Sequence, residues 1–260
     1  MDIMKIADAL YEAELKRAPI EPLTQVYPEI TAQDAYRIQL ALMERKMRAE
    51  GSRRVGMKIG LTGKAMQRLI GVTEPDFGHL TDQMLVQDGQ PCKISGLIQP
   101  KVEGELAFCL KKELRGPNIT LKDVYDAVDY VVPAIEIVDS RIADWKIKLQ
   151  DTIADNGSSA RFVLGGRKTP IEEIDMKLVG MVLEKNGEAL SSGAGVEVWG
   201  NPAAAVAWLA NMLSSFSADM SLKAGEVILS GAVTAADPAK AGDTYTVSFD
   251  RMGSVSVRFE

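Results

Sequence analysis

Residues 101–108, Lys101-Val-Glu-Gly-Glu-Leu-Ala-Phe108, alternate between two kinds of side chain with the two-residue period of a β-strand. Glu103 and Glu105 therefore share one face of the strand, while its apolar residues occupy the other. Two carboxylates side by side on a part-buried strand repel each other and lose hydration, so they need a proton or a cation. A divalent metal is one such cation, because hard ions prefer carboxylate oxygens. The alternative is the solvated outer face of an edge strand.

The composition predicts a folded cytoplasmic protein with no nucleic-acid or membrane partner. The chain has 260 residues, 46% of them hydrophobic, which is enough for one large domain or for a small lobe and a large one. Its net charge of -6 provides no basic surface for nucleic acid. No apolar run approaches the ~20 residues of a membrane span, and the N-terminus lacks the apolar block of a signal peptide.

Few residues of the chain are soft metal ligands. Cys92 and Cys109 are the only cysteines, which argues against a disulfide framework or a thiolate metal site. His79 is the only histidine, which excludes a site with several histidines. Because His79 follows a turn, we expect it to be structural. The sequence also lacks a phosphate-binding P-loop and a dinucleotide-binding glycine motif.

The first 52 residues are predicted to form an N-terminal helical portion, followed by a second unit over residues 53–260. Thr31-Ala-Gln-Asp34 resembles a capping box, and the helix that it opens is expected to end at Gly51. A further short helix is predicted over Lys64–Ile70. Asn186-Gly187 predicts a hairpin turn, and a second hairpin is expected between Tyr245–Phe249 and Val255–Phe259.

Two further charged residues lie in unusual surroundings. Lys58 belongs to a predicted apolar strand, where Gly56 and Gly60 leave room beside it, and lysine is rarely buried without a partner. It is either a cation that holds a substrate carboxylate or a lysine that reaches solvent from an edge strand. Asp76 lies in the predicted turn Glu74–Gly78, where an acid often only caps the turn.

A third carboxylate lies in another predicted strand. Glu136 stands between two isoleucines in Val131–Asp139, and a buried unpaired carboxylate needs a proton, a basic partner or a metal. Three carboxylates on predicted strands invite one explanation, and a shared metal is one that the residues allow, beside protonation or a basic partner for each. Further along, Asp155-Asn-Gly-Ser-Ser159 is a turn that either brings hydroxyl and backbone N–H groups to a ligand or only reverses the chain.

These segments together resemble the 2-hydroxypenta-2,4-dienoate (2-oxopent-4-enoate) hydratases, in the hydratase/decarboxylase branch of the fumarylacetoacetate hydrolase superfamily. The matching segments cover nearly the whole chain in order: Gly56–Thr62, Pro75–Gly78, Gln99–Phe108, Glu136–Trp145, Asp151–Asn156 and Gly253–Phe259. The resemblance implies a mixed, β-rich α/β fold of the fumarylacetoacetate hydrolase type, with residues 53–260 as the catalytic domain.

The resemblance also implies roles for single residues. Glu103, Glu105 and Glu136 match three carboxylate ligands of Mg²⁺ or Mn²⁺. Lys58 matches a catalytic lysine at the substrate's carboxylate end, and Asp76 matches a catalytic acid implicated in proton transfer. The chain is thereby expected to hydrate 2-hydroxypenta-2,4-dienoate to 4-hydroxy-2-oxopentanoate, a step of aromatic meta-cleavage catabolism.

Other positions are ambiguous or depart from the family pattern. Either Ser158 or Ser159 matches a serine that lines the substrate pocket. Lys101 stands where many relatives have arginine, and Gly157 stands where alanine is usual, which could loosen the serine loop.

Several alternatives remain open at this point. One is 4-oxalocrotonate decarboxylase, although those enzymes tend to have an apolar residue at the position of Asp76. Another is 2-oxohept-4-ene-1,7-dioate hydratase, which would need a further cationic contact at the far end of the pocket. A third is an inactive partner subunit. By resemblance we expect a homo-oligomer that can associate with a 4-oxalocrotonate decarboxylase.

Overall fold

Helices dominate the N-terminal part of the chain. The computed structural model describes residues 1–64, 67–68, 71–217 and 219–260. Helices α1, α2 and α3 span Ile3–Lys16, Leu23–Val26 and Ala32–Glu50. The predicted capping box is confirmed, because the Asp34 N–H donates to Thr31 Oγ1 and the Thr31 N–H donates to Asp34 Oδ2. The predicted end of α3 at Gly51 is also confirmed, with this glycine in the left-handed region at φ 62°.

The fully described helices in the rest of the chain are three, and all lie between strands. They are α4 over Leu121–Ala127, α5 over Leu149–Ala154 and α6 over Pro202–Phe216. The helix predicted over Lys64–Ile70 lies in part outside the described residues. Within the described ranges, we find no helix with the length and apolar character that a membrane crossing requires.

Thirteen strands in the described part of the chain form two sheets. In chain order, β1 to β13 span Arg54–Gly60, Asp76–Thr81, Leu85–Val86, Pro91–Cys92, Lys101–Leu110, Val128–Val138, Ser159–Leu164, Gly180–Lys185, Glu188–Ala194, Val227–Leu229, Asp237–Pro238, Thr244–Phe249 and Gly253–Phe259. The larger sheet has the order β2-β1-β10-β5-β6-β7-β3, and β11 pairs with the start of β5. The smaller sheet has the order β4-β13-β12-β8-β9. Both predicted hairpins are confirmed, as β8–β9 and β12–β13.

The smaller sheet packs on one face of β5 and leaves the other face for the carboxylates. A side chain at Gly104 would lie 3.1 Å from the side chains of both Met181 in β8 and Val247 in β12. Glycine therefore allows the two sheets to approach closely at this position. Glu103 and Glu105 point away from this contact, since side chains alternate along the strand.

The first helices share their core with the sheets. The Tyr36 ring of α3 stacks on Phe77 of β2 at a centroid distance of 4.4 Å. The buried Gln39 amide donates to the carbonyl oxygens of Phe77 and Ile153, at 2.8 and 2.7 Å. This amide therefore joins α3 to both β2 and α5. The division of the chain after residue 52 stays a prediction.

Candidate functional site

The antiparallel pairing of β5 with β6 brings the three predicted carboxylates together. Glu103 is directly opposite Glu136 in the register, and Glu105 follows on the same face of β5. One carboxylate oxygen from each residue lies within 4.8 Å of the others. Because β5 lies between β10 and β6, the alternative of a solvated edge strand is wrong.

Half of the six carboxylate oxygens in this cluster are buried without a hydrogen bond among the described residues. Glu105 and Glu136 are fully buried, and Glu105 Oε2 accepts from the Gly231 N–H at 2.8 Å. Glu105 Oε1 and Glu136 Oε1 have no hydrogen-bond partner in the described part of the chain, and Glu136 Oε2 has only the ion pair with Lys58 Nζ, without hydrogen-bond geometry. Buried carboxylate oxygens without a donor are costly, so this set fits a bound hard cation.

The pKa shifts of the cluster also favour a bound cation. Burial is the largest influence on the Glu103 carboxyl, ahead of the opposing charge of Lys58 and repulsion by Glu136, and its pKa is raised to about 7. Burial, then repulsion by Glu136 and Glu103, raises the pKa of Glu105 well above its ordinary value. The protein therefore favours protons on these two groups unless a cation stabilises their ionised forms.

Lys58 is the cation that the fold itself supplies. Its Nζ lies 3.3 Å from Glu136 Oε2 and donates to the Gly157 carbonyl oxygen at 3.0 Å. Burial alone would lower the pKa of Lys58, but the charges of Glu136 and Asp76 raise it above the ordinary value. The alternative of an edge-strand lysine is wrong, because β1 lies between β2 and β10 and Lys58 is only 3% exposed.

The two glycines beside Lys58 have different roles. A Cβ at Gly60 would lie 2.2 Å from Asp76 Oδ1 and 3.2 Å from Lys58 Nζ, so Gly60 does leave room for the site. A Cβ at Gly56 would instead lie 1.9 Å from the Val227 carbonyl oxygen. The expectation that Gly56 makes room for Lys58 is therefore wrong, since this glycine allows β10 to approach β1.

Asp76 is a buried acid next to Lys58. It begins β2 and is 1% exposed, so the expected turn over Glu74–Gly78 ends earlier than predicted. Its Oδ2 accepts from the Thr152 hydroxyl at 3.1 Å, while Oδ1 has no hydrogen-bond partner among the described residues. Burial raises the pKa of Asp76 in spite of the opposing charge of Lys58. The side chain is thus poised to hold a proton.

A left-handed turn holds the Gly157 carbonyl against Lys58. Asn156, Gly157 and Ser158 have φ values of 57°, 59° and 56°. The Asn156 side chain accepts from the His79 N–H at 2.7 Å and donates to the His79 carbonyl at 3.0 Å, which pins the turn to β2. The turn composition was the only signal in the sequence here, and the role of Asn156 was missed. No local sequence pattern identifies the residue that its side chain contacts.

An ion pair buried beneath this turn was also missed. Arg141 Nε donates to Asp155 Oδ1, and its other nitrogens donate to the carbonyl oxygens of Asp139, Asp155 and Ser159. Asp155 Oδ2 in turn accepts from the Ser158 hydroxyl at 3.2 Å. Both members of the pair are buried, so the network fixes the backbone on either side of Ser158.

A cavity of about 920 Å³ opens above the carboxylates. The predicted site residues that line it are Lys58, Asp76, Glu103 and Ser158. Other parts of its wall come from Lys101, Trp145, Ile147, Lys148, Thr152, Ser191, Ser192, Glu197 and residues 232–236. Ser159 begins β7 and is not among the lining residues, which favours Ser158 as the pocket serine.

His79 lies outside this cavity. Its side chain is buried, and burial followed by the charge of Arg54 lowers its pKa to about 3. The imidazole is therefore neutral at pH 7. Its contribution to the site is through its main chain, which binds Asn156.

A buried three-carboxylate cluster with a lysine and a further buried acid of raised pKa beside it suits acid–base chemistry on a small anionic substrate. A family model described as fumarylacetoacetate (FAA) hydrolase, C-terminal, matches residues 64–260. The chain therefore belongs to the fumarylacetoacetate hydrolase family, which confirms the predicted fold class.

Comparison with named relatives indicates the branch of the family to which the chain is similar. The chain is 48% identical over 252 residues to 2-hydroxyhexa-2,4-dienoate hydratase of Comamonas testosteroni, covering 96% of this chain and 94% of the relative. It is 49% identical over 215 residues to 2-hydroxypent-2,4-dienoate hydratase of Pseudomonas putida, covering 82% and 96%. The crystal structure of 4-oxalocrotonate decarboxylase from Pseudomonas putida G7, complexed with magnesium and adipate, has a TM-score of 0.95 at 41% identity and covers 99% and 97%. These similarities confirm the resemblance to the hydratase/decarboxylase branch.

Proposed function

We propose that this chain is a metal-dependent hydratase that converts 2-hydroxypenta-2,4-dienoate to 4-hydroxy-2-oxopentanoate in aromatic meta-cleavage catabolism. One observation carries the proposal: the buried carboxylate cluster has oxygens without hydrogen-bond donors and lies beside Lys58 and the buried Asp76 at one cavity. The hydratase names of two relatives at 48% and 49% identity support it.

Glu103, Glu105 and Glu136 hold a divalent ion, Mg²⁺ or Mn²⁺, in this proposal. Their unpaired buried oxygens support it, and the decarboxylase structure contains magnesium. When bound, such an ion supplies Lewis-acid stabilisation of negative charge on a substrate oxygen.

The chain's own residues bind the substrate and move protons. Lys58 holds the substrate carboxylate, because its ammonium group is charged and lies at the cavity wall. Asp76 delivers a proton to C5 as the 2-hydroxyl group loses one, which converts the dienol to a 2-oxo-3-enoate. Water then adds its hydroxyl group at C4 and a proton at C3, so the whole reaction adds one water molecule. Ser158 donates or accepts a hydrogen bond at the substrate.

Replacing two of the carboxylates tests the proposal directly. We expect Glu103→Gln combined with Glu105→Gln to lose bound metal and hydratase turnover, because neutral amides do not balance a divalent charge. Metal analysis and the ultraviolet absorbance of the dienoate, with and without added Mg²⁺, measure both. The matched control is Glu172→Gln with Glu188→Gln, which changes two exposed glutamates by the same charge. Wild-type metal content and turnover in the site variant would refute the assignment.

The sister decarboxylase activity is the second candidate. It is favoured by the structural similarity to 4-oxalocrotonate decarboxylase over 99% of the chain. Supplying 4-oxalocrotonate and the dienoate as competing substrates discriminates the two, and turnover of neither would indicate an inactive partner subunit. Three further points remain proposals: the homo-oligomer, the association with a decarboxylase and the cytoplasmic location. Sedimentation, copurification and cell fractionation, respectively, would test them.

A further inference from the structure

The cavity is larger, and is lined by more lysine side chains, than the proposed five-carbon substrate requires. Its volume of about 920 Å³ is near the upper end of the range for pockets that enclose drug-sized ligands. A five-carbon acid bound at the carboxylate cluster would leave most of it empty. Lys101 and Lys148 both line the cavity, and the reaction described above uses neither.

Lys101 lies on the same strand face as the metal carboxylates. It precedes Glu103 by two residues on β5, so their Cα atoms are ~7 Å apart along the strand. Glu105 lies on the far side of Glu103, which places Lys101 at the end of this row. A ligand that is anchored at the cluster and extends along β5 therefore approaches Lys101.

The Lys101 ammonium group is held in place without a carboxylate partner. Its Nζ lies 4.2 Å from the ring centroid of Trp145, and the Trp145 Nε1–H donates to the Gln99 carbonyl at 3.0 Å. No ion pair joins Lys101 to a carboxylate among the described residues. Burial removes some of the water that would solvate its charge and lowers the pKa of Lys101, an effect that the charge of Glu103 on the same strand only partly offsets. An oriented, partly desolvated cation that lacks an ion pair is suited to bind an anion from a ligand.

We propose that Lys101 is a second anion-binding position in the cavity and determines specificity for substrates whose far end carries a carboxylate. The chain then accepts longer 2-hydroxydienoates and 2-oxo acids with two carboxylates in addition to the five-carbon substrate. This inference rests on the proposed function, which places the first carboxylate at Lys58 and the cluster. It supplies the far-end cation that sequence reasoning could not identify.

Matched pairs of stable 2-oxo acids test the proposal without turnover. We would measure binding by calorimetry in the presence of Mg²⁺ for 2-oxopentanoate, 2-oxohexanoate and 2-oxoheptanoate, each beside the dioate of equal length. Hydrogen bonds to charged groups contribute about 1.5–3 kcal/mol, so for at least one length we expect the dioate to bind about tenfold or more tightly than its partner. No preference for a dioate at any length would overturn the proposal.

Three variants assign the preference to a residue. We expect Lys101→Met to remove the dioate preference while changing monocarboxylate binding less than about twofold, and Lys101→Arg to retain it. Lys148→Met is the matched control, since it removes the same charge from the same cavity. General electrostatic attraction would instead make both methionine variants weaken the more highly charged dioates more than the monocarboxylates, so that Lys148→Met would lose as much of the dioate preference as Lys101→Met. That result would overturn the proposal. So would a loss of the preference in Lys148→Met alone.

The same measurements separate this inference from the proposed function. If no acid binds in a Mg²⁺-dependent way, the proposed function fails and this inference fails with it. If the monocarboxylates bind in a Mg²⁺-dependent way but the dioates have no advantage, only the role of Lys101 fails.

Discussion

Acidification is expected to destabilise this protein through one buried imidazole. His79 is the only histidine, its Nε2 has no hydrogen-bond partner among the described residues, and its pKa in the folded protein is lowered to about 3. In the unfolded chain, the pKa returns to about 6.5. Below that pH the unfolded state binds more protons than the folded state, so the free energy of unfolding falls as the pH drops from about 6.5 toward 3.

The size of the loss follows from these two pKa values. At pH 5 the folded protein keeps the imidazole neutral, whereas the unfolded chain protonates it almost completely. The free energy of unfolding falls by about 1.36 kcal/mol for each pH unit below the unfolded pKa. Since pH 5 lies about 1.5 units below that pKa, the loss is ~2 kcal/mol. Because the pKa of His79 in the folded protein lies well below pH 5, this loss of ~2 kcal/mol depends little on the exact folded pKa.

The assay is urea unfolding at pH 7 and pH 5 for the wild type and His79→Gln. Carboxylates that titrate in this range contribute to both proteins and cancel in the comparison. We expect the wild type to lose ~2 kcal/mol more than the variant between the two pH values. Leu80→Val, on the same strand, is the control: it costs a similar amount at both pH values, since it removes no titrating group. Parallel pH dependences for the wild type and His79→Gln would refute the reasoning.

Three further substitutions have expected outcomes at the site. Asp76→Asn should lower the hydration rate by about 10²–10⁴-fold in the dienoate assay, the usual contribution of a placed proton donor, and a wild-type rate would exclude that role. Gly157→Ala should cost ~1–2 kcal/mol in urea unfolding, because φ is 59°. It should also raise KM for the dienoate, because the new Cβ would lie 3.1 Å from Lys58 Cδ, and an unchanged KM would contradict that contact. Arg141→Met should lower the free energy of unfolding in urea by about 3–5 kcal/mol, because it leaves the Asp155 carboxylate buried without its ion-pair partner. Adding Asp155→Asn should restore part of this loss, because it removes the unpaired charge.

The sequence was sufficient for features that depend on local spacing. The alternation along residues 101–108 identifies the strand and places Glu103 and Glu105 on one face, as the structure has them. Glu136 between two isoleucines was recognisable as a buried carboxylate for the same reason. Caps and hairpins were predictable because a few neighbouring residues determine them.

Features that depend on which strands become neighbours could not be predicted in this way. Whether β1 and β5 are edge or inner strands depends on β10, which comes more than a hundred residues later in the chain. The same strand explains Gly56, which was wrongly expected to make room for Lys58. Asn156 supports the site through the main-chain atoms of His79, 77 residues away, and main-chain atoms carry no sequence signal.

Charge balance would separate ligand and acid roles among the four carboxylates of the proposed site. Three ionised glutamates would carry three negative charges, which Lys58 and one divalent ion would together balance. Ionised Asp76 would be a fourth negative charge in excess of that balance, and burial raises the pKa of Asp76. Thr152 donates to one Asp76 oxygen, and the other has no hydrogen-bond partner among the described residues. The proposed acid role of Asp76 therefore depends on charge: the two cations are already balanced by the glutamates, so none is left over to favour ionised Asp76.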